Sequence, residues 1–178
     1  MKNTLPLFLL VLVFSLACEK EDIEIPTCEN CSFTCLEASE AEVITNDCMD
    51  NWDCAFTVSA DSKVATGEME GRTSGRKNVF QMINSTLGTA IIDDELTDVL
   101  VFELDKSQNS FSVEGIEMKG MKVHFRRLCY CGETEFKAVT SGCMQGEKQS
   151  DGSWLVQGHL TVPYSSKDRE VKFDAQFF

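Results

Sequence analysis

The chain has 178 residues with 29 acidic and 16 basic side chains, which gives a formal net charge of −13. This acidity argues against binding to nucleic acid, whose phosphates need a basic surface, and against electrostatic attraction to an anionic membrane. Residues 18–178 are long enough to form one domain with a sizeable hydrophobic core.

The N-terminus has the three parts of a secretory signal peptide. It starts with the basic residue Lys2, continues through an apolar run at residues 5–16 and reaches the small residue Ala17 just before Cys18. The apolar run is shorter than the roughly 20 residues that span a bilayer, and no second such run follows. We therefore predict a cleaved export signal at residues 1–17 and no transmembrane helix.

The residues before Cys18 indicate which kind of export signal this is. The sequence Ser15-Leu16-Ala17-Cys18 resembles the lipobox of bacterial lipoproteins, in which a small residue precedes a cysteine that is acylated and becomes the new N-terminus. It departs from the usual box in having Ser15 where leucine is common. Ser15 and Ala17 also suit ordinary signal peptidase, which is the alternative. The resemblance implies lipidation of Cys18.

A second resemblance follows directly after the lipobox. Lys20-Glu21-Asp22 looks like the export signal, one lysine and two acids, that follows the lipidated cysteine in surface-exposed lipoproteins of the Bacteroidota. It implies that the protein reaches the outer face of the outer membrane and is held there by its lipid. The alternative is a merely hydrophilic tether that faces the periplasm, since charged linkers self-repel and extend.

The chain contains nine cysteines, an odd number that leaves one thiol over in an exported protein. If Cys18 carries the lipid, eight remain for disulfides, which persist outside the cytoplasm. Five lie in a Cys-rich segment at residues 28–54 and three lie further on: Cys28, Cys31, Cys35, Cys48 and Cys54, then Cys129, Cys131 and Cys143. Because both groups are odd, at least one disulfide must join them.

The spacing of the cysteines reduces the number of plausible disulfide pairings. Cys129 and Cys131 are two residues apart on a predicted strand, so their side chains point to the same face and do not bond to each other easily. One of them can close a hairpin with Cys143 while the other reaches back to the Cys-rich segment. We expect this segment to be partly helical, because Cys28, Cys31 and Cys35 have helical spacing, and to be stapled to the sheet.

From Phe56 onward apolar residues alternate with polar ones, which is typical of strands with one buried face. The alternation is clearest at residues 56–60, 122–126, 154–162 and 171–178, whereas residues 99–104 are mostly apolar and indicate a central strand. The pattern predicts an antiparallel β-sandwich or small β-barrel at residues 55–178. The tether at residues 18–27 and the Cys-rich segment precede it.

Clusters of potential metal ligands have a simpler interpretation. The cysteines could form a thiolate site, but an oxidising compartment and the absence of a second Cys-x-x-Cys favour disulfides. Two acidic loops carry side-chain oxygens that could bind calcium, but neither has EF-hand spacing. We therefore interpret both as loops exposed to solvent. The first contains Asp47, Asp50, Asn51 and Asp53, and the second contains Asp93, Asp94, Glu95 and Asp98. We therefore predict no metal and no cofactor.

No catalytic motif stands out in the sequence. His124 and His159 lie on the polar faces of predicted strands, and Gly-x-Ser-x-Gly does not occur. A surface that binds carbohydrate usually presents exposed aromatic side chains. Trp154 lies on the inward face of its predicted strand, so Trp52 is the better candidate for contact with such a ligand.

The sequence therefore favours a non-catalytic outer-membrane lipoprotein that is a binding or accessory subunit of an outer-membrane protein complex. The alternatives are a surface lipoprotein that binds a glycan or another ligand and, less favoured, a hydrolase.

Overall fold

The computed structural model describes residue 35 and residues 41–87, 96–129, 134–164 and 167–178. Within these residues the chain forms strands and one short 3-10 helix at Gly115–Lys119. The strands are β1 (Val43–Ile44), β2 (Trp52–Val64), β3 (Arg72–Ser74), β4 (Lys77–Thr86), β5 (Thr97–Leu104), β6 (Ser110–Glu114), β7 (His124–Leu128), β8 (Lys137–Ala138), β9 (Gly142–Lys148), β10 (Trp154–Val162) and β11 (Arg169–Phe177). No helix in this part of the chain is long and apolar enough to cross a membrane.

The strands form two sheets. Five strands lie in the order β1-β11-β10-β9-β6, and six lie in the order β3-β2-β4-β5-β7-β8. The neighbouring strands run antiparallel, except that the two-residue strand β1 runs parallel to β11. The prediction of a mainly antiparallel β fold is confirmed.

Aromatic rings from both sheets fill the space between them. Phe80 of β4 lies 5.2 Å from Trp154 of β10 and 5.8 Å from Phe177 of β11, measured between ring centroids. Phe102 of β5 lies 5.8 Å from Phe111 of β6. All five rings are almost inaccessible to solvent. Edge-to-face packing of this kind adds about 0.5–1.5 kcal/mol per pair to the free energy of burial.

The two sheets are joined at one corner by backbone hydrogen bonds. The N–H of Val58 donates to the carbonyl oxygen of Phe178 over 2.7 Å, and the N–H of Phe178 donates to the carbonyl oxygen of Phe56 over 3.3 Å. Earlier along the same edge of β11, the side chain of Asn46 bonds both the N–H and the carbonyl oxygen of Gln176. The edge of β11 is thus covered in succession by β1, by Asn46 and by β2, and the structure curls at this corner.

A smaller apolar cluster lies on the outer face of the six-stranded sheet. Val64, Val79, Val99 and Val101 form it, with Ile83 and Phe136 packed against them. Arg126 lies on this face, 4.4 Å from the centre of the Phe136 ring, and donates to the carbonyl oxygen of Met69. Burial lowers the pKa of Arg126, because the charged form loses hydration there. The segment between β2 and β3 therefore serves as a cover for this sheet.

The strongest sequence patterns correspond to observed strands. Alternate residues of β10 are buried from Trp154 to Val162, and β5 is buried on both faces between β4 and β7. Gly158 belongs to the buried set because a Cβ there would lie 2.3 Å from the Phe173 ring. These strands confirm the inward register that the alternation predicts.

Two polar residues keep the predicted outward register but are not exposed to solvent. Arg126 and Lys172 were expected to face solvent, yet they are 9% and 3% exposed. Both do point away from the main core, and Arg126 is buried because the segment before β3 covers it. Outward direction and solvent exposure therefore differ where a second layer covers a sheet.

The predicted helical character of the Cys-rich segment lies mostly outside the described residues. Within them, Val43 and Ile44 form strand β1, and β2 begins at Trp52 and continues without interruption past residue 54.

Candidate functional site

The five cysteines that the structure describes lie at one end of the molecule: Cys35, Cys48, Cys54, Cys129 and Cys143. We call this the cysteine end. Cys54 pairs with Asn84 near the end of β4, and Cys129 directly follows Leu128, which pairs with Thr97 at the start of β5. Cys143 pairs with Glu114 at the end of β6.

The disulfide between Cys35 and Cys143 joins residues that are 108 positions apart in the sequence, with a Cα–Cα distance of 5.9 Å. Met144 faces the core, so Cys143 lies on the outer face of the five-stranded sheet. This bridge confirms that the Cys-rich segment is stapled to the sheet. The alternative in which Cys143 closes a hairpin with Cys129 or Cys131 is wrong, because Cys143 is the residue that reaches back to the segment.

A second disulfide, Cys48–Cys54, spans only six positions and closes the turn before β2. Cys48 and Asn51 have positive φ angles of 49° and 65°, so the turn is sharp. Trp52, the predicted ligand contact, starts β2 opposite Thr86 and is half-buried. The carbonyl oxygen of Asn51 accepts the N–H of Leu87, which fixes the turn beside the end of β4.

Cys129 is also disulfide-bonded. The other described cysteines are paired among themselves, so its partner lies outside the described residues, as do the predicted lipidation site Cys18 and the predicted export signal Lys20, Glu21 and Asp22. The remaining predicted disulfide cysteines, Cys28, Cys31 and Cys131, lie there too.

A polar row crosses the inner face of the six-stranded sheet at the cysteine end. Cys54 lies opposite Asn84, Asn84 lies opposite Asp98, and Asp98 lies opposite Arg127, on the neighbouring strands β2, β4, β5 and β7. The Sγ atom of Cys54 is 3.1 Å from Oδ1 of Asn84. Asn84 and Asp98 are each 1% exposed. The aromatic core thus ends at this row of polar groups.

Asp98 binds two arginines, one from each sheet. Its two oxygens accept the Nε and Nη2 hydrogens of Arg127 over 2.7 Å each, which is a bidentate pair. Nη2 of Arg169, at the start of β11, lies 3.2 Å from Oδ2 of the same carboxylate. Asp98 therefore links the two sheets through Arg169. The interpretation of Asp98 as part of a solvated acidic loop is wrong; Asp93, Asp94 and Glu95 lie outside the described residues.

The second arginine leaves this cluster with a surplus positive charge. Burial lowers the pKa of Arg169, and Arg127 lowers it further by repulsion, whereas Asp98 opposes both effects. The guanidinium remains the charged partner because its pKa starts far above neutrality. The arrangement supplies charge and rigidity, and it contains no nucleophile with a neighbouring base.

The two histidines are not brought together. His124 on β7 has its Nδ1 atom 2.8 Å from the carbonyl oxygen of Lys122. His159 on β10 of the other sheet has its Nε2 atom 3.8 Å from Oε2 of Glu170. Among the described residues, no group of three or more histidine, cysteine, aspartate or glutamate side chains could hold a metal ion. This includes the acidic turn with Asp47, Asp50 and Asp53.

No family model, no curated protein and no solved structure matches this chain. Its function must therefore be inferred from its own residues.

We expect Asp98→Ala to lower the free energy of unfolding by about 3 kcal/mol, since it leaves two guanidinium groups without their buried carboxylate. The control is Asp105→Ala, which removes an exposed ion pair with Lys77 at 3.0 Å and should cost less than about 1 kcal/mol. Urea unfolding measures both. Equal effects of the two substitutions would contradict the role of Asp98 as a link between the sheets.

We also predict that the mature protein contains four disulfides. After the two observed bridges, Cys28 and Cys31 remain in the Cys-rich segment, and Cys129 and Cys131 remain in the sheet region. A bond between Cys129 and Cys131 is disfavoured by their spacing, so Cys28 and Cys31 should pair with them. Peptide mapping of the unreduced protein tests this; a free thiol or a Cys129–Cys131 bond would refute it.

Proposed function

We propose that this chain is a non-catalytic lipoprotein of the outer membrane, exposed at the cell surface. In this proposal its mature part is a β-sandwich, closed at one corner, that serves as a binding or accessory subunit of an outer-membrane protein complex. The lipid on Cys18 and the export signal Lys20-Glu21-Asp22 give the anchor and the side of the membrane. The β module supplies the surface that contacts the partner.

The observation that supports this proposal best is the position of the Cys35–Cys143 disulfide. The chain from Cys18 to Cys35 reaches at most about 60 Å when fully extended, and its far end is fixed on the outer face of the five-stranded sheet. A lipid on Cys18 would therefore keep Cys143, and the sheet that carries it, within about 60 Å of the membrane surface.

The end of the module opposite the cysteine end offers a surface for a partner. It carries the turns at residues 105–109 and 149–153, which join β5 to β6 and β9 to β10. Exposed ion pairs brace this end, between Lys77 and Asp105 and between Lys106 and Asp61. Such pairs contribute little to stability, but they favour one arrangement of the turns that a partner could recognise.

The anchor and the surface signal can be tested with two variants. Cys18→Ala should abolish acylation and release the protein from the membrane fraction or leave it as a precursor. Replacing Lys20, Glu21 and Asp22 together by Ala should leave the lipid in place but protect the protein from protease added to intact cells. Mass spectrometry and surface digestion read the two effects. Fatty acid on the Cys18→Ala variant, or unchanged digestion of the triple variant, would argue against the proposal.

The partner is tested by purifying the lipoprotein from native outer membranes in mild detergent. We expect a membrane β-barrel protein to co-purify in a fixed stoichiometry, because an accessory subunit remains bound once the lipid bilayer is removed. The triple Ala variant is the matched control; it keeps the lipid but should lose a partner contacted at the cell surface. Purification of the unaltered lipoprotein as a monomer without a partner would refute the accessory role.

A further inference from the structure

The two arginines bound to Asp98 carry one positive charge more than that carboxylate neutralises. The side chains of Arg127 and Arg169 are 18% and 36% exposed, so both remain partly open at the cysteine end. No other acid among the described residues forms an ion pair with either of them, and Nε of Arg169 has no hydrogen-bond partner there. These two guanidinium groups, which we call the arginine pair, can therefore accept one more carboxylate.

A disulfide brings a further part of the chain to the arginine pair. Arg127 faces the space between the sheets, because Phe125, two residues earlier on β7, belongs to the main core. Cys129 follows Arg127 by two residues, so its side chain points to the same side where the chain is extended. Cys129 is disulfide-bonded to a residue outside the described part of the chain. That residue therefore lies close to the arginine pair.

The bonding partner of Cys129 belongs to the start of the Cys-rich segment. With Cys18 assigned to the lipid, the candidates are Cys28, Cys31 and Cys131. A bond to Cys131 is disfavoured, because residues two apart on an extended chain do not bridge easily. This leaves Cys28 or Cys31.

The position of Cys35 gives the direction of the chain before it. Cys35 is bonded to Cys143 on the outer face of the five-stranded sheet, whereas Cys129 follows β7 of the other sheet. Cys31 and Cys28 precede Cys35 by four and seven residues, which reach at most roughly 14 Å and roughly 25 Å. So short a connection between the two sheets would run across the cysteine end, over the arginine pair.

The segment before Cys35 has the charge that the arginine pair requires. Residues 19–34 contain five acids and one basic residue, Lys20. Glu29 is the one charged residue between Cys28 and Cys35. It directly follows Cys28 and precedes Cys31 by two residues, so it lies near Cys129 whichever of the two cysteines forms the bond.

We propose that the chain before Cys35 docks on the arginine pair and that Glu29 supplies the additional carboxylate. Hydrogen bonds between a guanidinium group and a carboxylate are strong because both partners are charged. A segment of the same chain needs no open route to half-buried groups, since it packs there as the disulfides form. The tether then leaves the module at the cysteine end. This inference goes beyond the accessory role and takes from it the assignment of Cys18 to the lipid.

A protease that cleaves after glutamate tests the docking on the mature protein with its disulfides intact. We expect Arg169→Gln to accelerate cleavage after Glu29 about tenfold, because the segment then loses a charged hydrogen-bond partner and opens more often. Cleavage after Glu24, in the tether, should be fast in both proteins. The matched control is Arg72→Gln, which removes an exposed ion pair with Glu70 at 3.2 Å and should leave both rates unchanged.

A second variant tests the same contact without altering the groups around Asp98. Glu29→Gln should make amide hydrogen exchange of residues 28–34 about tenfold faster, as followed by mass spectrometry. Glu24→Gln is its control and should leave that exchange unchanged. This measurement decides the question if Arg169→Gln does not fold.

Three results would overturn the proposal. The first is an unchanged rate of cleavage after Glu29 in folded Arg169→Gln, and the second is unchanged exchange in Glu29→Gln. The third is a melting temperature that inorganic phosphate raises in the unaltered protein but not in Arg169→Gln, since the arginine pair would then be open to a free anion. None of these results would affect the tests of the lipid anchor and of the partner, which do not involve Glu29 or Arg169.

Discussion

Ring packing between the two sheets, centred on Phe177, is the interaction on which the other features depend. Its ring lies 5.3 Å from Phe56, 5.8 Å from Phe80 and 6.2 Å from Phe102, which belong to three adjacent strands of the opposing sheet. The residue that follows, Phe178, forms the backbone bonds that close the corner. The contact thus sets both the separation of the sheets and the way in which they join.

At the cysteine end this apolar packing gives way to charge and covalent bonds. Asp98 and its two arginines replace aromatic rings there, and a buried ion cluster adds less net stability than apolar packing of the same volume. The cluster instead fixes the relative position of the strands, since the bidentate pair with Arg127 and the contact with Arg169 require one arrangement of them. The disulfides at the same end secure a segment that has few apolar residues of its own.

A strand was predictable from the sequence where one of its faces packs against the core and the other does not. Strands β10 and β11 alternate strictly because one face meets the core, and their register was correct. Strand β4 was not predicted, because Gln81 and Asn84 interrupt its apolar pattern; both are buried, and Nε2 of Gln81 donates to the carbonyl oxygen of Glu70. The polar row depends on partners from distant strands, which no local pattern reveals. A buried acid such as Asp98 looks like a loop residue when its neighbours in sequence are acidic.

The Cys35–Cys143 bridge also decides how the module bears mechanical load. A pull on the chain before Cys35 would pass through the covalent bridge into β9, bypassing the chain between residues 35 and 143. Strand β9 is hydrogen-bonded on both sides, to β10 and β6, so the tension is shared by two ladders. Without the bridge the same pull would act on β1, a two-residue edge strand that peels away one bond at a time. The bridge therefore turns a weak unzipping attachment into one that resists force.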